Sequence, residues 1–254
     1  MKDGFIKVAA GTPNVQVADC EFNAAEIIKM VREMEAEGAR VMVFPELCIT
    51  AYTCGDLFWQ ENLLEEAKVQ LMRIAEETAD VDAIIFVGLP LEYKGKLYNV
   101  AAGLNHGEIL GFVPKTYLPN YNEFYEARYF TSGEDVDGTV TIRRSEYGLH
   151  HDEEMTDEDV EFGLEAEVEA LEEEDSFEEL EEIDEEPDYI DEDETEEFDE
   201  VDVPISSNIL FICQEMPKLK IAAEICEDLW VPNPPSVGHA YHGANLIVNL
   251  SASD

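Results

Sequence analysis

Three residues with the chemistry of an acyl-transfer site each follow a short apolar segment that is typical of a buried strand. Cys226 ends the segment 219–225, which is apolar except for one lysine and one glutamate. Glu46 follows the segment 41–44, and Lys115 follows residues 111–113; in both places a proline separates the apolar run from the charged residue. The ends of strands are rigid positions, so the three side chains would form one site if their strands are neighbours.

The three residue types suit a cysteine-based hydrolysis. A thiol attacks as its thiolate, which needs a base to remove the proton and a cation nearby. Glu227 and Asp228 directly follow Cys226 and would repel a thiolate, so a cation is needed even more. Glu46 can serve as the base that shuttles the proton, and Lys115 can stabilise the oxyanion that develops on the substrate.

The sequence around these residues resembles the nitrilase (carbon–nitrogen hydrolase) superfamily. The motifs are FPE at Glu46, PKxYLP at Lys115 and EICEDLW at Cys226, and they agree in order and in strand-end context. The tracts 115–130, 227–235 and 248–254 are similar to the glutaminase branch found in glutamine-dependent NAD synthetases. The resemblance covers about residues 5–143 and 203–254. It implies that Cys226 is the nucleophile, Glu46 the general base and acid, and Lys115 the oxyanion stabiliser.

The same resemblance implies a set of substrate-binding residues. Tyr121, Phe124 and Glu227 are expected to hold the side chain and backbone of glutamine, with Ser253 close to them. Glu123 matches, by its spacing from Lys115, a second glutamate that relatives place beside the triad. We therefore expect Glu123 to orient the lysine and to strengthen its charge.

The function implied is a glutamine amidohydrolase that supplies ammonia for the ATP-dependent amidation of deamido-NAD to NAD. Hydrolysis of the amide would need no metal or cofactor. ATP and magnesium would belong to a synthetase domain that this sequence does not contain. The partners implied are glutamine, that synthetase domain and further copies of the chain, because the superfamily commonly assembles through its outer helices.

Two alternatives of different kinds remain open at this point. A stand-alone amidase or nitrilase acting on another small amide would have the same fold and triad. An inactive module, serving as a binding or scaffold protein, would result if the truncated end and an acidic insertion abolish hydrolysis. For single residues the structural alternatives are a core cysteine at Cys226, a solvated acid at Glu46, a surface lysine at Lys115 and an aromatic packing loop over 121–124.

Charge excludes some classes of partner. The 254 residues include 15 Lys and Arg against 60 Asp and Glu, a net charge of −45. Residues 151–202 carry 31 of the acids and no Lys or Arg, which leaves about −14 for the rest. Such a chain is not expected to bind nucleic acid or an anionic membrane. No signal peptide or membrane-spanning run is evident, and five cysteines without a CxxC pair favour free thiols, so we expect a cytoplasmic protein.

The order of predicted elements is that of a mixed α/β domain. Strands are expected at 5–10, 41–44, 83–88, 98–105, 109–113, 209–213, 220–226 and 246–250, helices at 19–38 and about 60–78, and tight turns at 94–96 and 106–107. The resemblance implies a four-layer α-β-β-α nitrilase-like sandwich that is truncated at its C-terminus. We expect its first part at 1–145, an acidic and disordered insertion at 146–202, and its second part at 203–254.

Overall fold

The computed structural model describes residues 5–143 and 200–252, which belong to one compact unit of the chain. Two longer helices and one short helix accompany ten strands in these ranges. The helices are α1 (Cys20–Ala36), α2 (Glu61–Glu77) and α3 (Pro235–Tyr241). The strands are β1 (Val8–Ala10), β2 (Val41–Val43), β3 (Ile84–Tyr93), β4 (Lys96–Asn105), β5 (Glu108–Pro114), β6 (Asp137–Arg143), β7 (Glu200–Ser206), β8 (Phe211–Ile212), β9 (Lys220–Ile225) and β10 (Leu246–Leu250).

The described strands form two sheets. Seven strands lie in the order β1-β2-β3-β4-β5-β7-β6, and three lie in the order β10-β9-β8. Strands β3, β4 and β5 are joined by two tight antiparallel turns. Both turns have two consecutive residues at positive φ, Lys94-Gly95 and His106-Gly107, which matches the twist of adjoining strands. The predicted turns are thereby confirmed.

Alternate residues of the seven-stranded sheet face two different cores, because side chains along a strand point to opposite faces. Val41, Phe86 and Val113 face strands β9 and β10 in one apolar cluster. Met42 and Val87 face the opposite way, into the core that includes α1 and α2. The three-stranded sheet therefore packs against one face of the larger sheet, and the two long helices cover the other face.

The structure differs from the sequence-based prediction around the acidic tract. Strands β6 and β7 were not predicted, and they pair with each other in antiparallel fashion, with Arg143 opposite Glu200. Strand β7 also pairs with β5, so it joins the larger sheet directly. It begins inside the range expected for the insertion. Of the insertion predicted to be disordered, 146–202, residues 146–199 lie outside the described ranges.

Two of the predicted strands, 5–10 and 209–213, are longer than those observed. Strand β1 has three residues and β8 has two. In the parts of the chain that the structure describes, no helix has the length and apolarity that crossing a lipid bilayer requires.

Gly88 allows the turn after β2 to lie directly on β3. A Cβ atom placed at Gly88 would lie 2.6 Å from the Cα of Glu46, and it would also collide with the backbone nitrogen of Leu47. The turn that carries Glu46 can approach this closely only because the position has no side chain.

We predict that Gly88→Ala lowers the free energy of unfolding by about 1–3 kcal/mol, because the turn must move to make room for the methyl group. Urea denaturation measures this change. Gly238→Ala is the matched control, since a Cβ at Gly238 in α3 would meet no atom within 4 Å. A Gly88→Ala protein as stable as the control would contradict the close approach.

Candidate active site

Glu46 is a buried carboxylate, 1% exposed, in the turn that follows β2. Its Oε2 atom accepts hydrogen bonds from Lys115 Nζ and from Asn99 Nδ2, both at 2.8 Å. Its Oε1 atom accepts the backbone N–H of Ala252 at 3.3 Å. One oxygen is thus held by a cation and an amide, and the other points toward the chain that follows β10.

Lys115 is fully buried at the end of β5 and lies between two carboxylates. Its Nζ atom is 2.8 Å from Glu46 Oε2 and 2.7 Å from Glu126 Oε1. Its backbone N–H donates to the carbonyl of Asn99 at 2.8 Å. Burial opposes the ammonium form, but Glu46 and Glu126 outweigh it and raise the pKa of Lys115. The lysine is therefore a permanent buried cation at neutral pH.

Glu126 is the second glutamate of this cluster, and the prediction that Glu123 orients Lys115 is wrong. Glu123 is exposed, whereas Glu126 is 4% exposed and begins a short 3-10 helix. Glu126 Oε1 also accepts the Tyr52 hydroxyl at 2.8 Å. Burial and the nearby Glu46 raise the pKa of Glu126, although Lys115 opposes the shift. The irregular loop before Glu126 explains why spacing from Lys115 pointed to the wrong glutamate.

Cys226 lies where β9 ends, with a φ of 45° and 6% of its surface exposed. A non-glycine residue in the left-handed region costs about 1–3 kcal/mol and is common at functional sites. The hydroxyl of Ser251 lies 3.5 Å from the Cys226 Sγ atom. The next residue, Ala252, is the one whose N–H bonds Glu46, so the chain after β10 touches both the thiol and the base.

The Tyr52 hydroxyl lies within electrostatic reach of the same groups. Its pKa is raised by burial and by the charges of Glu126, Glu46 and Cys226. The two glutamates and the cysteine therefore surround one polar atom. The structure brings the predicted triad together across two facing sheets, with Glu46 and Lys115 on the larger sheet and Cys226 on the smaller.

The carboxylate of Asp228, which follows Cys226 by two residues, is hydrogen-bonded to the backbone. Its side chain is 1% exposed and accepts backbone N–H groups from both sides of the site. Burial raises its pKa to about 6, while the N–H groups of Tyr117 and Ile225 act in the opposite direction. The acid expected to repel a thiolate instead has backbone donors around its oxygens.

The predicted substrate-binding residues fall into three groups. Tyr121, Phe124 and Glu227 lie together: the Tyr121 hydroxyl donates to Glu227 Oε2 at 2.9 Å, and the two rings are 5.8 Å apart between centroids. The hydrogen bond to Glu227 raises the pKa of Tyr121, and the charge of Cys226 adds to the shift. Glu123 is exposed beside them, and Ser253 lies outside the described residues.

The site has the parts of a cysteine hydrolase: a thiol, a carboxylate with one oxygen toward the segment that also contacts the thiol, and a buried ammonium. Within ranges 5–143 and 200–252, no group of three or more His, Cys, Asp or Glu side chains is placed to hold a metal ion. A thiol next to a carboxylate and a fixed cation can carry out acyl transfer.

Comparison with protein families decides the classification. The family model described as carbon-nitrogen hydrolase matches residues 7–254. The chain belongs to the carbon-nitrogen hydrolase family. This confirms the resemblance stated from the motifs around Glu46, Lys115 and Cys226. It also makes the chain a member of the nitrilase superfamily, whose solved structures share its mixed α/β architecture.

Relatives within this carbon-nitrogen hydrolase family include long synthetases. The glutamine-dependent NAD(+) synthetase of Mycobacterium tuberculosis H37Rv is 31% identical over 250 residues, which are 98% of this chain and 29% of that protein. The crystal structure of a glutamine-dependent NAD(+) synthetase from Cytophaga hutchinsonii matches with a TM-score of 0.65 and 24% identity, over 98% of this chain and 30% of that one. An amidase from Nesterenkonia sp. matches with a TM-score of 0.58 and 15% identity, over 97% and 64% of the two chains. The chain thus spans under a third of the synthetases it matches.

Sequence reasoning missed four residues of the site: Tyr52, Asn99, Glu126 and Asp228. Asn99 has the clearest signal in the sequence, because it is a polar residue inside the apolar run of β4 and must have a partner there. Its Oδ1 atom has no partner among the described residues, so its amide group is committed to Glu46 alone. Glu126 and Asp228 are evident in the sequence as acidic residues, but the sequence does not show that Glu126 contacts Lys115 or that Asp228 contacts Tyr117.

We predict that Lys115→Met lowers the free energy of unfolding by about 3–5 kcal/mol near pH 8, because it leaves two buried carboxylates without their cation. Removing the lysine also removes the main cause that lowers the pKa of Glu126. A carboxyl with a raised pKa contributes stability at low pH that is lost as pH rises. The deficit should therefore shrink as the pH falls toward about 5.

Urea denaturation of wild type and Lys115→Met at several pH values measures this deficit. Lys68→Met is the control, because Lys68 pairs with Glu65 at the surface of α2 and such a pair contributes about 0–1 kcal/mol. A deficit in Lys115→Met that is no larger than the control, or that grows on acidification, would contradict the buried network.

Proposed function

We propose that this chain is the glutaminase part of a glutamine-dependent NAD synthetase and hydrolyses the side-chain amide of glutamine. The observation that carries the proposal is the buried Glu46–Lys115 pair held beside Cys226, at the ends of strands from two facing sheets. Membership of the carbon-nitrogen hydrolase family supports the reaction class. Similarity to the synthetase of M. tuberculosis supports glutamine as the substrate.

The first step forms a thioester. Glu46 removes the proton of the Cys226 thiol while Sγ attacks the amide carbon of glutamine, and the carbonyl π electrons move onto oxygen. Among the described residues, two of the three N–H donors of Lys115 go to carboxylates, which leaves the third for this oxyanion. A backbone N–H near Cys226 gives the second contact. The protonated Glu46 then gives its proton to the nitrogen, the C–N bond breaks, and ammonia leaves.

The second step releases glutamate. Water loses a proton to Glu46 and attacks the thioester carbon, and Lys115 stabilises the second oxyanion as it did the first. The C–S bond breaks, and Glu46 returns the proton to the thiolate of Cys226. In each of the two steps, Glu46 thus accepts one proton and later donates it. This requires that its Oε1 remain accessible while Oε2 is held by Lys115 and Asn99.

Substrate recognition is assigned to the residues next to the nucleophile. Glu227 provides a carboxylate for the α-ammonium group of glutamine, and its hydrogen bond from Tyr121 fixes its direction. Phe124 packs edge-on against Tyr121 and would cover the methylene groups. Ser253 and Glu123 are retained as further contacts to the substrate. The assignments of Tyr121 and Glu227 rest on their proximity to Cys226 and on the family resemblance, that of Phe124 on its contact with Tyr121 and the resemblance, and those of Glu123 and Ser253 on the resemblance alone.

In the whole protein, the ammonia would pass to a synthetase domain that amidates deamido-NAD at the expense of ATP. ATP and magnesium would be bound by that domain and take no part in the amide hydrolysis. The described fold would then be part of a complete four-layer α-β-β-α sandwich, with assembly of several copies through the outer helices. The share of the synthetase relatives that this chain spans, 29–30%, agrees with one part of a longer enzyme.

A stand-alone amidase acting on another small amide is the second candidate. The observation that favours it is the structural match to an amidase of which this chain covers 64%, about twice the share of the synthetases. The chemistry at Cys226 would be the same, so only the choice of amide separates the two candidates.

Release of glutamate from glutamine by the purified protein tests the proposal. We predict turnover by the wild type and a loss of at least about a thousandfold in Cys226→Ala, because the nucleophile is removed. The glutamine analogue 6-diazo-5-oxo-norleucine, which has a diazoketone in place of the amide, should label Cys226, as detected by peptide mass spectrometry. Cys213→Ala is the matched control, since Cys213 is a free, partly exposed thiol.

Each outcome separates the candidates. Turnover of acetamide or propionamide in preference to glutamine would favour the amidase. A labelled Cys226 without turnover would mean that the site is built and that hydrolysis depends on the rest of a longer protein. Folded protein with neither turnover nor label would favour the inactive module, and equal loss of activity in Cys213→Ala would refute the role given to Cys226.

A further inference from the structure

Asp228 connects two segments that are far apart in the sequence. Its Oδ1 atom accepts the backbone N–H of Tyr117 at 2.7 Å and that of Thr116 at 3.1 Å. Its Oδ2 atom accepts the N–H of Ile225 at 3.0 Å. Thr116 and Tyr117 directly follow Lys115, and Ile225 directly precedes Cys226. The carboxylate therefore lies between the loop of the oxyanion-stabilising cation and the strand end of the nucleophile.

The loop after Lys115 has no strand partner of its own at this point. Residues 115–120 are not part of a sheet, and Thr116 and Tyr117 donate to Asp228 rather than to a backbone carbonyl. A buried carboxylate is costly unless its oxygens are hydrogen-bonded, and hydrogen bonds from N–H groups to a charged acceptor are stronger than neutral ones. The buried carboxylate of Asp228 meets this condition, because both of its oxygens accept backbone N–H groups.

We propose that Asp228 is a positioning residue that fixes the loop of Lys115 to the strand end of Cys226. It does not touch the reacting atoms. Its carboxylate sets the distance between the ammonium and the thiol, because Oδ1 holds the backbone that follows Lys115 and Oδ2 holds Ile225 before Cys226, with a longer contact of 3.4 Å from the Thr116 N–H to Oδ2. The catalytic part of this proposal rests on the proposed hydrolase function, whereas the structural part does not.

The charge around Asp228 is consistent with this role. Lys115 favours its ionised form and Glu224 on β9 disfavours it, while burial is the largest effect and raises its pKa. A neutral amide at the same position would avoid the buried charge, but it has only one acceptor oxygen. Its NH2 group would face a backbone N–H, so an asparagine can hold one of the two segments and not both.

Asp228→Asn is therefore the sharpest test, because it keeps the shape of the side chain and removes one acceptor. Asp19→Asn is the matched control: Asp19 caps α1 by accepting a single N–H, from Phe22 at 3.0 Å, and an asparagine serves equally well there. Two properties are measured for each protein: hydrogen–deuterium exchange of the Thr116, Tyr117 and Ile225 amides, and kcat and KM for glutamine.

In Asp228→Asn we expect the amides of Thr116 or Tyr117, or the amide of Ile225, to exchange at least about tenfold faster, while the amides of β3 and β4 stay as in the wild type. We expect kcat to fall about a hundredfold with KM changed by less than about threefold, because the substrate still binds but the cation is misplaced. Asp19→Asn should match the wild type in both measurements.

Unchanged exchange in folded Asp228→Asn would overturn the proposal, and so would fast exchange with an unchanged kcat. If the wild type shows neither glutamine turnover nor a labelled Cys226, the proposed function fails, and the exchange data alone still decide whether Asp228 joins the two segments. If Asp228→Asn does not fold, the wild type decides: its Thr116 and Tyr117 amides must be protected at least about a hundredfold relative to an unstructured peptide, and unprotected amides would refute the connection.

Discussion

The buried ammonium of Lys115 is the interaction on which the rest of the site depends. Glu46 and Glu126 are both almost completely buried, and neither could be ionised there without a cation at hydrogen-bond distance. The same ammonium is the charge that a substrate oxyanion would meet. Stability and chemistry therefore depend on one group. Two carboxylates hold its Nζ atom, and the backbone N–H of the same residue donates to the carbonyl of Asn99.

The two facing sheets give this cluster its rigidity. Glu46 and Lys115 lie on strands that are not neighbours in the larger sheet, and Cys226 lies on the smaller sheet. The two sheets pack face to face, and this packing brings the thiol of Cys226 on one sheet close to Glu46 and Lys115 on the other. The local backbone is adapted as well: Cys226 itself and Leu47, which follows Glu46, both have positive φ.

The sequence predicted the mixed α/β class, most strand positions and the three reactive residues, because apolar runs ending in proline or cysteine are local signals. Strands β6 and β7 were missed although a β-branched apolar residue stands at every second position of 201–205, since the surrounding acids hid the pattern. Glu126 was confused with Glu123 because an irregular loop does not convert spacing into distance. Asp228 was interpreted only as a charge, since its backbone donors come from a segment 111 residues away.

That separation has a consequence for the order in which the site is assembled. Glu46 and Lys115 are 69 residues apart and belong to the first half of the chain, whereas the thiol comes more than a hundred residues later. During synthesis from the N-terminus, the base and the cation can be in place on the larger sheet before the nucleophile has left the ribosome. Contacts between such distant segments form late in folding. Cys226 can thus join a charge environment that already exists, because a nascent chain that ends before β9 carries Glu46 and Lys115 but lacks the thiol.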